Sequence, residues 1–440
     1  MNSRIQSALS QGRELWRKDG VRNITRGGLT GIIAAVGNRA LTIASAIVLA
    51  RLLGSDGYGI YATAIAAMMI LAVLAEFGMY VLLVREVSSA HARAAWGEIL
   101  GMCLSAVRFT LSVSVIVAAL GCAVIWMTPL IASTPEKWAF TLMLGLLPIN
   151  TLYRLGSATL YGLRYVALAQ VTEQFLLPAI AFASFATIYL AVGPGIRPAY
   201  ALGAQIGSGA LALLMIGLIV YSALAPSRAN FAQLVPASRF QVRALPFLIM
   251  GAAGTITQQL DTLIVSLMMT NSDTAHYRVA SQAATLTWFG VQILQSISSP
   301  YFARLFQQGD MHSLRRLYHW NTVLAVASAT PVLLLFIFAG RWVIDITFGS
   351  EFEGAQPLMI VLSAGYLINV MCGPAGSLLA MTGEERWASR AFVIMSALAI
   401  LISLSLVNLV GAIGVAFGTA FGFAGYHLVL RVHIRRRMGF

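Results

Sequence analysis

Residues Leu49–Arg85 read LARLLGSDGYGIYATAIAAMMILAVLAEFGMYVLLVR. An apolar segment ends at Arg51, Leu53 and Gly54. A short polar turn follows, then Tyr58, Gly59 and Tyr61, and then a second apolar segment with Glu76 and Gly78 near its close. Two segments of helix-spanning length joined by so short a turn read as a hairpin across a bilayer, where every backbone polar group must be satisfied inside the helix. Barrel strands would be half as long and would alternate in polarity, which these segments do not.

Working outward, apolar runs of this kind recur at about 28–50, 59–83, 102–126, 138–161, 166–191, 200–222, 245–269, 279–300, 319–340, 356–379, 391–409 and 411–430. The expectation is an all-α polytopic membrane protein with about twelve transmembrane helices. Composition agrees: 58% of the 440 residues are hydrophobic and 10% charged. A soluble protein carries about 25% charge. Soluble enzyme, secreted scaffold and disordered chain are thereby excluded.

The net charge of +13 does not point to nucleic acid, because the cations punctuate the apolar runs instead of clustering on a folded domain. With the amino terminus inside, twenty-one of the 29 Lys and Arg residues fall on the cytoplasmic side, and five (Arg51, Lys137, Arg197, Arg278 and Arg341) fall outside. This positive-inside split places both termini in the cytoplasm. Residues 4–22 set Ile5, Leu9, Gly12 and Trp16 on one face, which fits either an interfacial helix or a basic tail contacting anionic lipid. No cleavable signal peptide is expected. Cys103, Cys122 and Cys372 form no CxxC and read as free membrane thiols. The expected organisation is a basic segment 1–27, a six-helix lobe 28–222, a linker 223–244, a second six-helix lobe 245–430 and a basic tail 431–440. Val48–Ala64 aligns with Ile264–Ala280 at an offset of 216, close to half the chain, matching Tyr61 to Tyr277 and Ala64 to Ala280, as a parallel repeat would.

Polar side chains at three-or-four spacing form stripes on four spans: Asn38, Thr42 and Ser45; Ser105, Arg108 and Ser112; Asn150, Arg154, Ser157 and Tyr161; Gln282, Thr285, Gln292 and Gln295. Four such stripes suit a lined cavity better than scattered interhelical bonds. Six ionisable residues fall within spans: Arg39, Arg108, Arg154, Glu76, Glu173 and Asp261. Each costs about 2.5–3.5 kcal/mol if it faces lipid at mid-membrane, so each should face protein or water. Arg39 is the deepest. The arginines suit anionic head groups or structural pairing with carboxylates, and a small boundary shift would let Arg108 snorkel to the interface. Glu76 and Glu173 read as partners for arginine. Asp261 reads as a bridge between the lobes or as a site for a proton or sodium ion.

The Leu49–Arg85 pattern, with Arg51, Leu53, Gly54, Tyr58, Gly59, Tyr61, Glu76 and Gly78, resembles the N-terminal signature of bacterial polysaccharide and O-antigen flippases. These form the polysaccharide-transporter branch of the multidrug/oligosaccharidyl-lipid/polysaccharide exporter superfamily. Gln259–Ala280, Phe348–Ala364 and the Thr382-Gly383 turn look similar, whereas Thr270–His276 lacks the family's glycine-rich form. The resemblance implies two six-helix lobes around a central cavity, alternating access, and movement of an undecaprenyl-diphosphate-linked glycan across the bacterial inner membrane. It implies no cofactor, coupling to a proton or sodium gradient, and membrane lipids and other polysaccharide assembly proteins as partners. A multidrug or lipid II exporter of the same superfamily is the nearest alternative. A membrane glycan polymerase or glycosyltransferase is disfavoured by short external loops, and no P-loop, HExxH or GxSxG is present.

Overall fold

The computed structural model describes residues 2–128, 133–225 and 237–439; for 2–32, 135, 237–242 and 250 it describes the backbone alone. The reading of residues 4–22 as an interfacial face rests on side chains outside that description, as do residues 226–236 of the expected linker. Among the described residues the chain is nearly all helical, with no strand. The first half holds α1 (Asn2–Glu76), α2 (Met79–Ala92), α3 (Trp96–Met127), α4 (Thr134–Gly162), α5 (Val166–Val171), α6 (Leu177–Val192) and α7 (Pro198–Ala223). The second holds α8 (Ala237–Met268), α9 (Asn271–Gln307), α10 (Met311–Thr347), α11 (Ala355–Met371), α12 (Ala375–Met381), α13 (Glu385–Val410) and α14 (Ala412–Met438).

Among the described residues, seven helical segments are long and apolar enough to span a membrane, or eight if the bent pair α11–α12 forms one span. The expected count of twelve is not reached by composition. Helices α4, α8 and α9 have the length, at 29, 32 and 37 residues, but carry polar and charged side chains into their middles. Large apolar side chains such as Leu120, Leu190, Leu218, Phe338 and Leu401 are exposed around the bundle, as a lipid-facing belt requires.

Several expected boundaries shift, each for a local reason. The first two spans are two helices joined directly at a kink within α1, at Gly54, whose φ of 67° and ψ of 179° lie outside helical space. The second span does not continue to residue 83: the chain breaks at Phe77–Gly78, where α8 crosses it, and restarts as α2. The fifth span contains a π-turn, Thr172–Leu176, between α5 and α6. The tenth bends by 42° between α11 and α12. The eighth begins eight residues earlier than expected, because Thr270 and Asp273 form a capping box that nucleates α9 at Asn271.

The two lobes meet most tightly where α1 turns at Gly54, hereafter the Gly54 end. Leu52, Tyr58, Ala64, Val265, Tyr277, Ala280 and Phe352 share one buried apolar cluster there, drawn from both halves. A Cβ on Gly59 would stand 1.8 Å from the Asn271 carbonyl oxygen, so α1 and the start of α9 approach to a distance that excludes any side chain. At the opposite end Arg85 lies over the Phe247 ring and Arg243 lies 3.5 Å from Glu86. Tyr61 and Tyr277, paired in the sequence repeat, behave alike: Tyr61 donates to Gln205 of α7, and Tyr277 bonds Thr419 of α14, the last helix of its own lobe.

Candidate functional site

Among the described residues, three groups that hold intramembrane charges lie inside the bundle. The first is within the first lobe, near the end opposite Gly54. Arg154 of α4 donates from Nε to Glu76 at 2.8 Å and lies over the Tyr80 ring at 4.9 Å. Tyr80 in turn donates to Glu173 at 3.1 Å, with Tyr161 beside the same carboxylate. Glu173 lies in the π-turn, whose extra residue sets this stretch in a different phase from α5. Tyr153 holds the turn by donating to the Thr172 carbonyl. The Glu76 side chain is 8% exposed and that of Arg154 41%, so the arginine keeps an open face. Its charge is nevertheless balanced by Glu76.

The second group lies within the second lobe. Asp261 of α8 accepts hydrogen bonds from Tyr277 at 2.9 Å and from the Thr262 backbone N–H at 2.7 Å. Thr419 completes the chain at 3.1 Å from the Tyr277 hydroxyl. A pocket of about 40 Å³ opens beside Asp261, bounded by Ser396, Ser403, Thr419 and Tyr426. Asp261 thus faces the interior of its own lobe. Among the described residues no first-lobe arginine reaches it, because its position on α8 points it toward α9, α13 and α14.

The third group lies between the lobes, and there each half contributes a cation to the other. Arg39 of α1 sits with its guanidinium carbon 5.8 Å from the Phe289 ring of α9, within electrostatic reach of Tyr366 of α11. Arg278 of α9 faces the first lobe and lines a cavity of about 250 Å³ beside Tyr58, Tyr61, Gln205 and Gln282. Its nearest hydrogen-bond acceptor is Gln259 at 3.5 Å. Among the described residues no carboxylate lies within ion-pairing distance of Arg39 or Arg278. With a rise of 1.5 Å per residue, Arg278 lies about 10 Å, Arg39 about 22 Å and Arg154 about 30 Å from the Gly54 end. The cations are therefore staggered across the bundle.

The remaining candidates divide. Asn38, next to Arg39 in the chain, accepts from Thr42 at 3.2 Å. Asn150 points from α4 to the Met68 sulfur at 3.9 Å. Gln282 accepts from Tyr58 at 3.4 Å across the lobe interface, and Gln292 and Gln295 are half-buried farther along α9. Arg108 belongs to none of the groups. It is exposed on α3 among Leu104, Val107 and Leu111, the position of a snorkelling side chain. Sequence reading missed Arg278 by setting it just outside the eighth span. The signal was there in the spacing, since Arg278 stands one turn before Gln282 and extends its stripe.

Known proteins share the family and the fold of this chain. Residues 24–306 match the family of polysaccharide biosynthesis proteins. A probable low-salt glycan biosynthesis flippase, Agl15 of Haloferax volcanii, is 22% identical over 208 residues, covering 47% of this chain. The match spans 43% of that relative's length. An inward-facing multidrug-resistance MATE transporter of the MOP superfamily superposes with a TM-score of 0.67 at 14% identity, covering 94% of this chain and 98% of the other. A MOP-superfamily transporter from Pyrococcus furiosus, described by a binding pocket of reverse polarity, superposes with a TM-score of 0.56 at 15% identity over 94% and 95% of the chains. A multi-pass helical bundle with this fold, matched over more than half its length by one family, belongs to the polysaccharide biosynthesis proteins.

Proposed function

We propose that the chain is a flippase that moves a polyprenyl-diphosphate-linked oligosaccharide from the inner to the outer leaflet of a bacterial cytoplasmic membrane by alternating access. The observation that carries this reading is Arg39, a guanidinium at mid-bundle that faces the opposite lobe with no carboxylate partner among the described residues. An unbalanced intramembrane charge is costly, and an anionic cargo offsets that cost. A guanidinium offers a fork of donors that matches diphosphate oxygens in a way an ammonium does not. The same charge opposes a cationic drug, which favours glycan export over multidrug export.

The positive-inside distribution puts both termini in the cytoplasm and the Gly54 end outside. The contacts around Gly59 and Asn271 then close the outer side. Asp261 is the group we assign to a coupling proton or sodium ion, since it combines a buried carboxylate with hydroxyls of Tyr277 and Thr419 in a small pocket. Lipids and other polysaccharide assembly proteins are the expected partners.

The test is leaflet translocation of defined lipid-linked glycans by the purified full chain in liposomes. Arg39→Ala should abolish translocation while leaving folded protein, and Arg39→Lys should restore part of it. Full activity in Arg39→Ala would remove the assignment of Arg39, and failure of the unaltered protein to move any lipid-linked glycan would remove the flippase reading.

A further inference from the structure

The cavity of about 250 Å³ between the first lobe and α9 is separate from Arg39 and from the Arg154–Glu76 pair, and its walls have a consistent chemistry. Tyr58 donates to the Gln282 side-chain oxygen, and Tyr61 donates to the Gln205 side-chain oxygen at 3.2 Å. Each tyrosine therefore satisfies an amide carbonyl and leaves the amide NH₂ as the group on offer. Ser45 adds a hydroxyl, and Arg278 adds a guanidinium. Among the described residues the lining holds no carboxylate. The nearby Asp261 is engaged by Tyr277 and Thr262 within its own lobe. Such a set donates hydrogen bonds and carries positive charge, so it selects an oxygen-rich anion. The volume falls below the roughly 300 Å³ at which drug-sized sites begin, which suits a single sugar ring.

Two of the donors, Arg278 and Gln282, come from α9 in the second lobe, whereas Ser45, Tyr58, Tyr61 and Gln205 come from the first. The site is complete only while the lobes are packed together at the Gly54 end. A ligand held by both sides adds its binding energy to that packing and to no state in which the lobes part there.

We propose that this cavity is a recognition site for one anionic sugar unit, a hexose bearing a carboxylate or a phosphate, and that its occupancy holds the lobes together at the Gly54 end. This deepens the flippase reading and rests on it, naming a chemical feature of the glycan.

The experiment uses the full chain in detergent and measures binding by calorimetry with four probes: glucuronate, glucose 6-phosphate, glucose and inorganic phosphate. Glucuronate or glucose 6-phosphate should bind at least tenfold more tightly than glucose or phosphate. Arg278→Gln and Gln205→Ala should each weaken the preferred probe by about tenfold, and Arg278→Lys by less. Spin labels at Asp56→Cys and Ser350→Cys, both exposed and on opposite lobes, should show a narrower distance distribution with the preferred probe in a chain whose native cysteines are replaced. Glucose binding as tightly as glucuronate, phosphate alone binding as tightly as either charged sugar, unchanged affinity in Arg278→Gln, or unchanged label distances would each overturn the proposal. The two readings fail separately. Translocation of lipid-linked glycan with no probe bound would leave the flippase standing without this site, and probe binding without translocation would leave the site standing without the flippase.

Discussion

Arg51 closes the carboxyl-terminal end of α10: its Nε donates to the Thr347 carbonyl at 2.8 Å and the same guanidinium donates to the Ile346 carbonyl. A cation there meets unsatisfied carbonyls and the negative pole of the helix. Nearby, the Ser55 backbone N–H donates to Glu351 at 3.1 Å and the His276 ring lies 2.8 Å from the Glu351 carbonyl oxygen. The first lobe is thus latched to the second beside the kink of α1. Arg51→Ala should remove about 1.5–3 kcal/mol of hydrogen bonding to a charged group. Labels on Asp56 and Ser350 should report a broader distance distribution in that variant, and Arg51→Lys should give an intermediate one.

The Arg154–Glu76 pair makes a second prediction. Removing Arg154 leaves a buried charge, and removing Glu76 leaves an unpaired donor. Glu76→Gln and Arg154→Gln should each lower the midpoint of thermal unfolding, at a cost of about 1–3 kcal/mol. The double variant should lose less than the sum of the two, because residues in contact couple. Additive losses in a double-mutant cycle would show that the pair contributes nothing as a pair.

Gly59 gives the most sterically determined outcome. Its missing Cβ would overlap the Asn271 carbonyl oxygen and carbon, which are backbone and cannot rotate away. Gly59→Ala should force α1 from α9 and reduce the folded yield more than Gly203→Ala, a control position where an added Cβ meets nothing within 4 Å. Size-exclusion profiles of the two variants would distinguish them.

Asp261→Asn keeps an oxygen that can accept from Tyr277 and removes the charge. The variant should fold, as judged by thermal unfolding, and should lose the dependence of glycan translocation on an imposed proton or sodium gradient. Tyr277→Phe leaves the carboxylate but strips one of its donors and the link to Thr419, so it should impair coupling less.

Much of the fold was legible because apolar length is written directly in the sequence. The runs around Ala46, Ala118 and Leu401 needed no tertiary information. The polar turn at Gly54 was equally plain, since glycine followed by Ser55-Asp56-Gly57 cannot read as mid-membrane helix. What stayed hidden depends on contacts distant in sequence. Arg154 and Glu76 lie 78 residues apart, so their pairing follows from how α4 packs on α1. Arg278 was displaced by a boundary, because the capping box at Thr270 outweighs the polarity of Ser272 and Asp273 and carries the helix past them. The break at Phe77–Gly78 arises from the crossing of α8, which no local pattern announces. Arg108 sits on the same helical stripe as Ser105 and Ser112, yet Ser105 is buried and Arg108 exposed, because a stripe spans more of the helix circumference than one neighbour covers.

The π-turn at Thr172–Leu176 has a consequence for how the protein tolerates insertion and deletion. A π-turn holds one residue more than an α-helical turn of the same height, so it acts as an absorbed insertion. Excising a single residue there, Gln174 for instance, would let α5 and α6 join as one regular helix, with good local hydrogen bonding throughout. Because the excised residue is the one that the π-turn absorbs, the residues beyond the join would keep their faces, and Leu177, Pro178, Ala181 and Phe185 would still line the cavity. The regular turns of α6 have no such slack: excising Ala179 would rotate Ala181 and Phe185 by about 100° about the helix axis and carry them off the cavity wall. One residue can thus be lost without harm from the turn, and not from the helix that follows it.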